Sequence, residues 1–346
     1  MSTIAMGSTV RLADAPPIRG LRFRHYAGAT DHPAMVRVNN AVAEADKDDE
    51  VATVAGMDVD YANLSNSDPF RDALLAEVDG DLVAYSRVEW EDDNSGGRSY
   101  NCFGFVHPEW RRRGIGRSML HHDEARLREI CAEHPHDRPR WLASWGNDTN
   151  SGNSRLLTSE GYVAVRHFYE MIRADLEDIA EAPMPDGLEI RPMKEEHMRA
   201  LFAADVEAFR DHWGGVDGTE NSFQRWVKSP DFDPSLYLVA WQGDQIAGAV
   251  LNGIYPVENE RHGFQRGWLD SVFTRRAWRQ RGLARALIAR SFVLLKERGM
   301  TSAALGVDAT NPHEALRLYK ESGFAIGHSA TAYRKPRDAV IGPEWS

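Results

Sequence analysis

The 346-residue sequence is poor in cysteine, lacks long hydrophobic runs and has fewer basic than acidic side chains. Its two cysteines, Cys102 and Cys131, are too few for a disulfide scaffold or a cysteine-rich metal site. No run approaches the roughly 18 apolar residues of a transmembrane helix. The net charge of −11 argues against general nucleic-acid binding, which needs a basic face. These absences predict a cytoplasmic protein with neither nucleic-acid nor membrane partners.

The chain has enough apolar material for two folded domains. Hydrophobic residues make up 42% and charged residues 27%, which is typical of globular proteins. At about 150 residues per domain, the length corresponds to about two domains. Residues 1–18 lack the apolar core of a signal peptide and are predicted to form a flexible leader. Residues 337–346 are predicted to be a tail.

An internal repeat supports a duplication. EWRRRGIGRSML (109–120) matches AWRQRGLARALI (277–288), and SEGYVAV (159–165) matches ESGFAIG (321–327). Two matches in the same order, half a chain apart, indicate duplicated domains. The Pro/Gly-containing segment APMPDG predicts a linker. The predicted units are an N-terminal domain over 19–181, the linker over 182–187 and a C-terminal domain over 188–336.

Both halves have the same predicted order of elements: a strand, helices, three strands, a helix, a strand, a helix and a final strand. The clearest helices are predicted over 114–133 and 282–299, each directly after a strand. This pattern predicts an α/β (α+β) fold, duplicated, in which each domain has a mixed central sheet flanked by helices.

A basic, glycine-containing loop precedes each of these long helices. The first turn of a helix presents unpartnered amides that bind anions, and glycine permits close approach of a ligand. Neither copy has the spacing of a P-loop or of GxGxxG, which argues against a triphosphate or nicotinamide site. An exposed basic helix start is the alternative. The loop residues are Arg111, Arg113, Gly114 and Gly116 in the first half, and Arg279, Gln280, Arg281, Gly282, Leu283 and Ala284 in the second.

The pattern R-x-x-G-x-G/A after a strand resembles the acetyl-CoA pyrophosphate loop of the GNAT acyltransferase superfamily. LGVDATNPHEALRLYKESGF (305–324) is similar to its other hallmark, a strand and an Asn followed by A-x-x-L-Y-x-x-x-G-F. The chain resembles the tandem-domain branch that includes mycothiol synthase and related actinobacterial N-acetyltransferases. This resemblance implies a duplicated GNAT fold, acetyl-CoA as co-substrate and no metal.

The resemblance also implies the cofactor contacts. The backbone of Val272, Phe273 and Thr274 would pair with the pantetheine arm, and the loop amides would hold the pyrophosphate. Asn311 matches an asparagine that lies along the cofactor. Tyr319 matches the tyrosine near the thioester sulfur, where a phenol can protonate the leaving thiolate. The alternative for Tyr319 is a core aromatic at helical spacing.

Asp270 lies on the strand before the second loop, where bases of this superfamily often occur. Strand alternation predicts that Trp268, Asp270, Val272 and Thr274 share one face. Apolar neighbours predict a raised pKa for the Asp270 carboxyl. The alternative is an aspartate that caps a turn or pairs with Arg266.

The acceptor pocket is predicted to include His212, Trp213 and Trp268. The sequence HWGG around His212 departs from the mycothiol synthase pattern, and a solvated loop histidine is the alternative. Other histidines in the first half, such as His121 and His122, are predicted to be surface residues, because adjacent histidines on a helix diverge and no clustered cysteines accompany them.

The first half is predicted to be degenerate. Leu157 occupies the place of Tyr319 and Thr149 that of Asn311, although its loop can still bind CoA. The predicted function is therefore an acetyl-CoA-dependent N-acetyltransferase that acts directly on a primary amine of a small molecule, as a monomer or homodimer. The alternatives are a CoA-binding regulatory pseudoenzyme and a Fem-like aminoacyl transferase. Two retained loops and the acidic net charge favour the acetyltransferase, while the acceptor is not predicted, because fold does not determine substrate.

Overall fold

The computed structural model describes residues 6–94, 96–310 and 315–336. The chain forms two compact units. Unit 1 comprises Met1–Val165 and Ala330–Ser346, and unit 2 comprises Arg166–Ser329. In the described part of the chain, no helix combines the length and apolar character needed to cross a bilayer.

Unit 1 is a sheet with helices packed against it. Its strands, in sheet order, are β1 (Thr9–Val10), β2 (Leu21–His25), β3 (Ala73–Val78), β4 (Asp81–Asp92), β5 (Arg98–Val106), β6 (Arg140–Asn147) and residues 330–336 of the last strand, Ala325–Pro336. Its helices are α1 (His32–Asp46), α2 (Val54–Ala62), α3 (Pro69–Asp72), α4 (Ile115–Ala132) and α5 (Ser151–Ser159). The β5–β6 pair is parallel and the other pairs of this unit are antiparallel.

Unit 2 repeats this arrangement. Its strands, in sheet order, are β7 (Val163–Arg173), β12 (Ser302–Asp308), β11 (Arg266–Thr274), β10 (Gln245–Ile254), β9 (Tyr237–Gln242) and β8 (Glu189–Arg191); the last strand of the chain is β13 (Ala325–Pro336). Its helices are α6 (Met198–Ala208), α7 (Glu220–Lys228), α8 (Pro256–His262), α9 (Leu283–Glu297) and α10 (Ala315–Glu321). The β11–β12 pair is parallel. The predicted mixed sheet flanked by helices is thus confirmed in both units.

The edge strands are exchanged relative to the sequence repeat. Residues 168–173 of β7 pair with β12 in unit 2, whereas residues 330–336 of β13 pair with β6 in unit 1. The apolar side chains explain this, because Met171 lies in the core of unit 2 and Tyr333 in that of unit 1. The units therefore differ from the predicted domains 19–181 and 188–336. The predicted linker 182–187 lies inside unit 2.

The described part of the predicted leader packs onto unit 1. Thr9 and Val10 pair with β2, and Leu12 and Ile18 contact the same apolar core as Val10. The hydroxyl of Ser118 on α4 also donates to the Asp14 carbonyl at 2.8 Å. Val10, Leu12 and Ile18 are thus half-buried against unit 1, which differs from the flexible leader predicted over 1–18.

Helix α9 begins and ends within two residues of its prediction. Leu283, Leu287, Phe292 and Leu295 are at most 2% exposed and pack in the core of unit 2. Their spacing gives the helix one apolar face. This packing fixes the start of α9, and with it the loop that precedes the helix.

Candidate active site

The two Arg/Gly loops have the same backbone conformation. Gln280 and Gly282 have φ angles of 61° and 83°, and the equivalent Arg112 and Gly114 have 63° and 92°. Both glycines directly precede a helix whose first amides have no intrahelical acceptor. A Cβ built on Gly282 would meet nothing within 4 Å. The loop of unit 2 therefore leaves the start of α9 open, as an anion site at a helix start requires.

The first arginine of each loop has internal partners. Arg279 Nε donates to the Thr274 carbonyl at 3.1 Å, and its guanidinium pairs with Asp211 at 3.1 Å. In unit 1, Arg111 donates to the Val106 carbonyl at 3.2 Å and pairs with Asp46 at 2.6 Å. These guanidinium groups tie each loop to the preceding strand and helix. The loop amides remain as its main anion donors.

Strands β11 and β12 separate before the loop. Their parallel pairing covers only Arg266–Trp268 and Ser302–Ala304. A cavity of about 1040 Å³ opens beyond this point, between the diverging strands and next to the start of α9. The backbone of β11 that lines the cavity can accept an extended ligand as a further pairing partner.

Most predicted site residues of the second half line this one cavity. Arg281 is exposed outside it, Trp268 does not line it, and Asn311 lies outside the described residues. The predicted residues that line it are Asp270, Val272, Phe273, Thr274, Arg279, Gln280, Gly282, Leu283, Ala284, His212, Trp213 and Tyr319.

A β-bulge interrupts β11 at Asp270. Leu251 is opposite Ser271 and Asn252 is opposite Leu269, which leaves Asp270 without a partner residue on β10. The bulge reverses the alternation of side chains along the strand. Trp268 therefore shares a face with Ser271 and not with Val272. The prediction that Trp268, Asp270, Val272 and Thr274 share one face is wrong for this reason.

Asp270 is exposed, and it lines the cavity. The protein atoms around the carboxyl reduce its hydration and raise its pKa to about 7, the neighbouring Tyr255 lowers this pKa, and the negative charges of Glu258 and Asp231 raise it further. A carboxyl with this pKa exchanges protons near neutral pH. Arg266, the partner considered from the sequence, instead lies 3.8 Å from Glu170.

Tyr319 lies on α10 and is 7% exposed. Its ring packs edge-to-face on Phe324 with 6.1 Å between centroids, and the residue lines the cavity. Burial raises the pKa of Tyr319 to about 12, so the phenol stays protonated at physiological pH. Tyr319 thus both packs in the core and faces the cavity, which the two sequence interpretations treated as alternatives.

The predicted acceptor residues separate into two groups. His212 stacks edge-on against Phe209 at 4.5 Å, and Trp213 lies 5.9 Å from the ring of Phe168. Both line the cavity. The indole of Trp268 instead donates to the Glu258 carboxylate at 2.9 Å. Trp268 therefore supports the wall behind Asp270.

Three polar residues near the cavity were missed from the sequence. Ser271 lines the cavity and donates to Asp205 of α6 at 2.5 Å, and burial raises the pKa of Asp205 to about 6. Asp205 follows Leu201 by four residues, so a carboxylate on the apolar face of a predicted helix was an available signal. The third residue, Tyr255, had no such signal; its hydroxyl and the Asp270 carboxylate both lie within 3.0 Å of the Cβ position of Gly253.

The corresponding groove of unit 1 lacks these groups. It has a volume of about 810 Å³ and is lined by Arg111, Gly114 and Gly116, while Arg113 instead stacks over Trp110 at 4.6 Å. The β5–β6 pairing continues to Cys102, two residues further than the equivalent pairing in unit 2.

Cys102 occupies the position of Asp270 in the repeat and is 3% exposed. The Ser144 hydroxyl donates to the Cys102 carbonyl at 3.0 Å, closing the strands where those of unit 2 diverge. Leu157, at the position of Tyr319, is 2% exposed in the core. Neither position of unit 1 therefore offers an acid or base to the groove.

Comparison with known families agrees with the duplicated architecture. Residues 198–324 match the acetyltransferase (GNAT) family, and residues 69–170 match an acetyltransferase (GNAT) domain. The solved GCN5-related N-acetyltransferase from Sphaerobacter thermophilus is 26% identical with a TM-score of 0.69, covering 94% of this chain and 98% of its own. A tandem GNAT protein from the clavulanic acid biosynthesis pathway shares the fold, at 15% identity and a TM-score of 0.66, over 93% of this chain and 100% of its own.

Curated relatives match a longer part of the sequence than either family match alone. The mycothiol acetyltransferase of Clavibacter michiganensis is 30% identical over 234 residues, which is 66% of this chain and 70% of the relative. That of Geodermatophilus obscurus is 26% identical over 271 residues, covering 77% of this chain and 83% of the relative. The chain belongs to the GNAT acetyltransferase family, with a GNAT domain in each half, and is an acyltransferase.

Proposed function

We propose that the protein transfers the acetyl group of acetyl-CoA directly to a primary amine of a small molecule, in the cavity of unit 2. The observation that carries this proposal is the convergence of the open loop at Gly282, the carboxyl of Asp270 and the phenol of Tyr319 on one cavity. Unit 1 has the loop but has Cys102 and Leu157 in place of the two reactive side chains.

The proposed reaction needs a proton acceptor and a proton donor. Asp270 takes a proton from the acceptor ammonium, since only the neutral amine has a lone pair to attack the thioester carbonyl. The new C–N bond forms as the C–S bond breaks, and the nitrogen, positively charged after the attack, releases its second proton to solvent to give the neutral amide. Tyr319 gives its phenolic proton to the departing sulfur, and solvent restores it. The first-turn amides of α9 hold the pyrophosphate, and the backbone of Val272–Thr274 holds the pantetheine arm.

We also propose that unit 1 is a degenerate acetyltransferase domain. Its loop has the same left-handed residues as that of unit 2, which supports binding of a second CoA molecule. Its strands stay paired as far as Cys102, which opposes entry of an acetyl group to the depth of Asp270. The protein therefore has up to two CoA sites, of which that of unit 2 supports turnover.

The direct test is a thiol-release assay with acetyl-CoA against a panel of amines. The panel contains aminoglycosides, amino sugars and amino acids, and the relatives named mycothiol acetyltransferase add mycothiol-related amines. Turnover with any amine supports the proposal. Acetyl-CoA binding without release of thiol across the panel would instead favour a regulatory CoA-binding role.

The pKa of Asp270 predicts the acidic limb of the pH profile. Because the base acts only when ionised, turnover at saturating acceptor should rise with pH and level off above a midpoint near 7. Asp270→Asn should lower turnover and remove this limb. Two acceptors whose amines differ in pKa provide the control, since the midpoint should not follow the amine. A midpoint that tracks the acceptor would contradict this role of Asp270.

A further inference from the structure

The start of β7 holds the turn that follows β12. Arg166 donates from Nε and Nη2 to the Asp308 carboxylate, with distances of 2.9, 3.1 and 2.7 Å, and from Nη2 to the Thr310 carbonyl at 3.2 Å. The Thr310 amide also donates to Asp308 at 3.0 Å. Asp308 lines the cavity of unit 2. The direction of the Arg166 guanidinium is therefore fixed by a turn in the cavity wall.

Trp213 lies in the segment between α6 and α7 and packs against the same part of β7. Its ring centroid is 5.9 Å from that of Phe168, and the guanidinium carbon of Arg166 is 5.9 Å from the Trp213 ring centre. A guanidinium at this distance from an indole face attracts the ring. Trp213 and Phe168 both line the cavity. Arg166 thus connects the turn at Asp308 with the segment that carries Trp213.

Unit 1 connects its equivalent segments by stronger contacts. The side-chain amide of Asn150 donates to Asp46 at the end of α1 at 2.8 Å, and that of Asn147 donates to Asp48 at 2.6 Å. Hydrogen bonds to a carboxylate are directional and charge-assisted, whereas the contact of an arginine with an aromatic face is weaker. Loss of the contact at Trp213 should therefore move this segment without unfolding unit 2.

We propose that Arg166 is a positioning residue for the acceptor side of the cavity, which holds Trp213 beside the turn at Asp308 and so sets the shape of the wall against which the amine binds. This inference rests on the proposed function, in which the amine binds beside Trp213. Arg166 does not itself line the cavity, so it acts through the indole. It belongs neither to the Arg/Gly loop nor to the α10 motif.

The kinetic test is Arg166→Gln, which removes the guanidinium and keeps a polar side chain. The KM of the acceptor should rise about threefold to tenfold, as the loss of a cation–π contact implies. Turnover at saturating acceptor should stay within about twofold of the wild-type rate. In a Trp213→Ala background, Arg166→Gln should raise the KM no further, since its effect passes through the indole. An unchanged KM, or an equal rise in both backgrounds, would overturn the inference.

Hydrogen exchange tests the contact without any acceptor. The amides of residues 212–218 should exchange about threefold to tenfold faster in Arg166→Gln than in the wild type, because loss of the contact favours local opening. Arg166→Lys keeps the positive charge, which guards against a folding defect. It lacks the planar fork that binds Asp308 and lies against the indole at once, so it should show the same increase.

Arg173→Gln is the matched control. Arg173 lies on the same strand, donates to the carbonyls of Asp175, Ser322 and Asp178, and lies 4.6 Å from the ring centre of Phe292. Its loss should leave the exchange of residues 212–218 unchanged. An equal increase in this control would trace the effect to a general loss of stability and would overturn the positioning role.

The two measurements separate this inference from the proposed function. Unchanged exchange of residues 212–218 in both Arg166 variants refutes the positioning role, even if the wild-type protein acetylates amines. Faster exchange in both variants, in a protein that releases no thiol with any amine of the panel, supports the positioning of Trp213 and overturns the proposed function alone.

Discussion

Gly282→Glu is expected to abolish acetyl-CoA-dependent turnover. The substitution places a bulky, negatively charged side chain where the first amides of α9 present their protons to an anion. It also forces a non-glycine residue into a φ of 83°, which costs about 1 kcal/mol. Thiol release and acetyl-CoA titration calorimetry should both fall below detection for the site of unit 2.

Two control variants separate the anion site from the backbone strain. Gly299→Glu, after the end of α9, has the same left-handed backbone, with φ 85° and nothing within 4 Å of its Cβ position. It should lose similar stability and keep its turnover. Gly114→Glu alters the equivalent loop of unit 1 and should retain most of the activity. Loss of turnover in Gly114→Glu, with activity kept in Gly282→Glu, would place the active site in unit 1.

Tyr319→Phe is expected to lower turnover by about 10–1000-fold, in the range of general-acid contributions. The variant keeps the ring packing on Phe324 and removes only the phenolic proton. Acetyl-CoA affinity should change by about 0.5–1.5 kcal/mol at most, the value of one neutral hydrogen bond. Thermal stability should hardly change, because the ring stays packed in the core.

Tyr319→Ala tests the packing role of the same residue. Deleting a ring that is 7% exposed should cost about 3–5 kcal/mol of unfolding free energy through the cavity it leaves. Comparing turnover and melting temperature for both variants separates the two contributions. If Tyr319→Phe turned over a good amine at the wild-type rate, the proton would have to come from water or another group.

The repeat and the helix starts could be predicted from sequence because they depend on local patterns. The two Arg/Gly loops follow strands and precede amphipathic helices, and the structure gives both the same left-handed residues at Gln280 and Arg112. Tyr319 could be placed because it lies in the family motif, and Asp270 because bases of the superfamily often occur on its strand; both line one cavity.

The remaining features depend on long-range pairing that no local pattern encodes. The bulge at Asp270 arises from the register of β10 against β11. Because of it, Trp268 does not line the cavity, although it was predicted to belong to the acceptor pocket. Arg279 is one of the predicted loop residues, but its guanidinium pairs with Asp211, from the end of the preceding helical segment. The pairing of Asp211 with Arg279 was not predictable, since a single exposed aspartate has no distinctive sequence pattern.

The exchanged edge strands determine the order in which the two units can complete their folding during synthesis at the ribosome. Unit 2 is a continuous segment, Arg166–Ser329, and all of its described strands have been translated before residue 330. Unit 1 lacks its last strand until residues 330–336 emerge, although Thr331 and Ala332 of that strand are only 2% exposed in the finished fold. Domains usually complete their folding in the order of translation. Here the half that is made first must wait with an open sheet edge at β6, and is completed last.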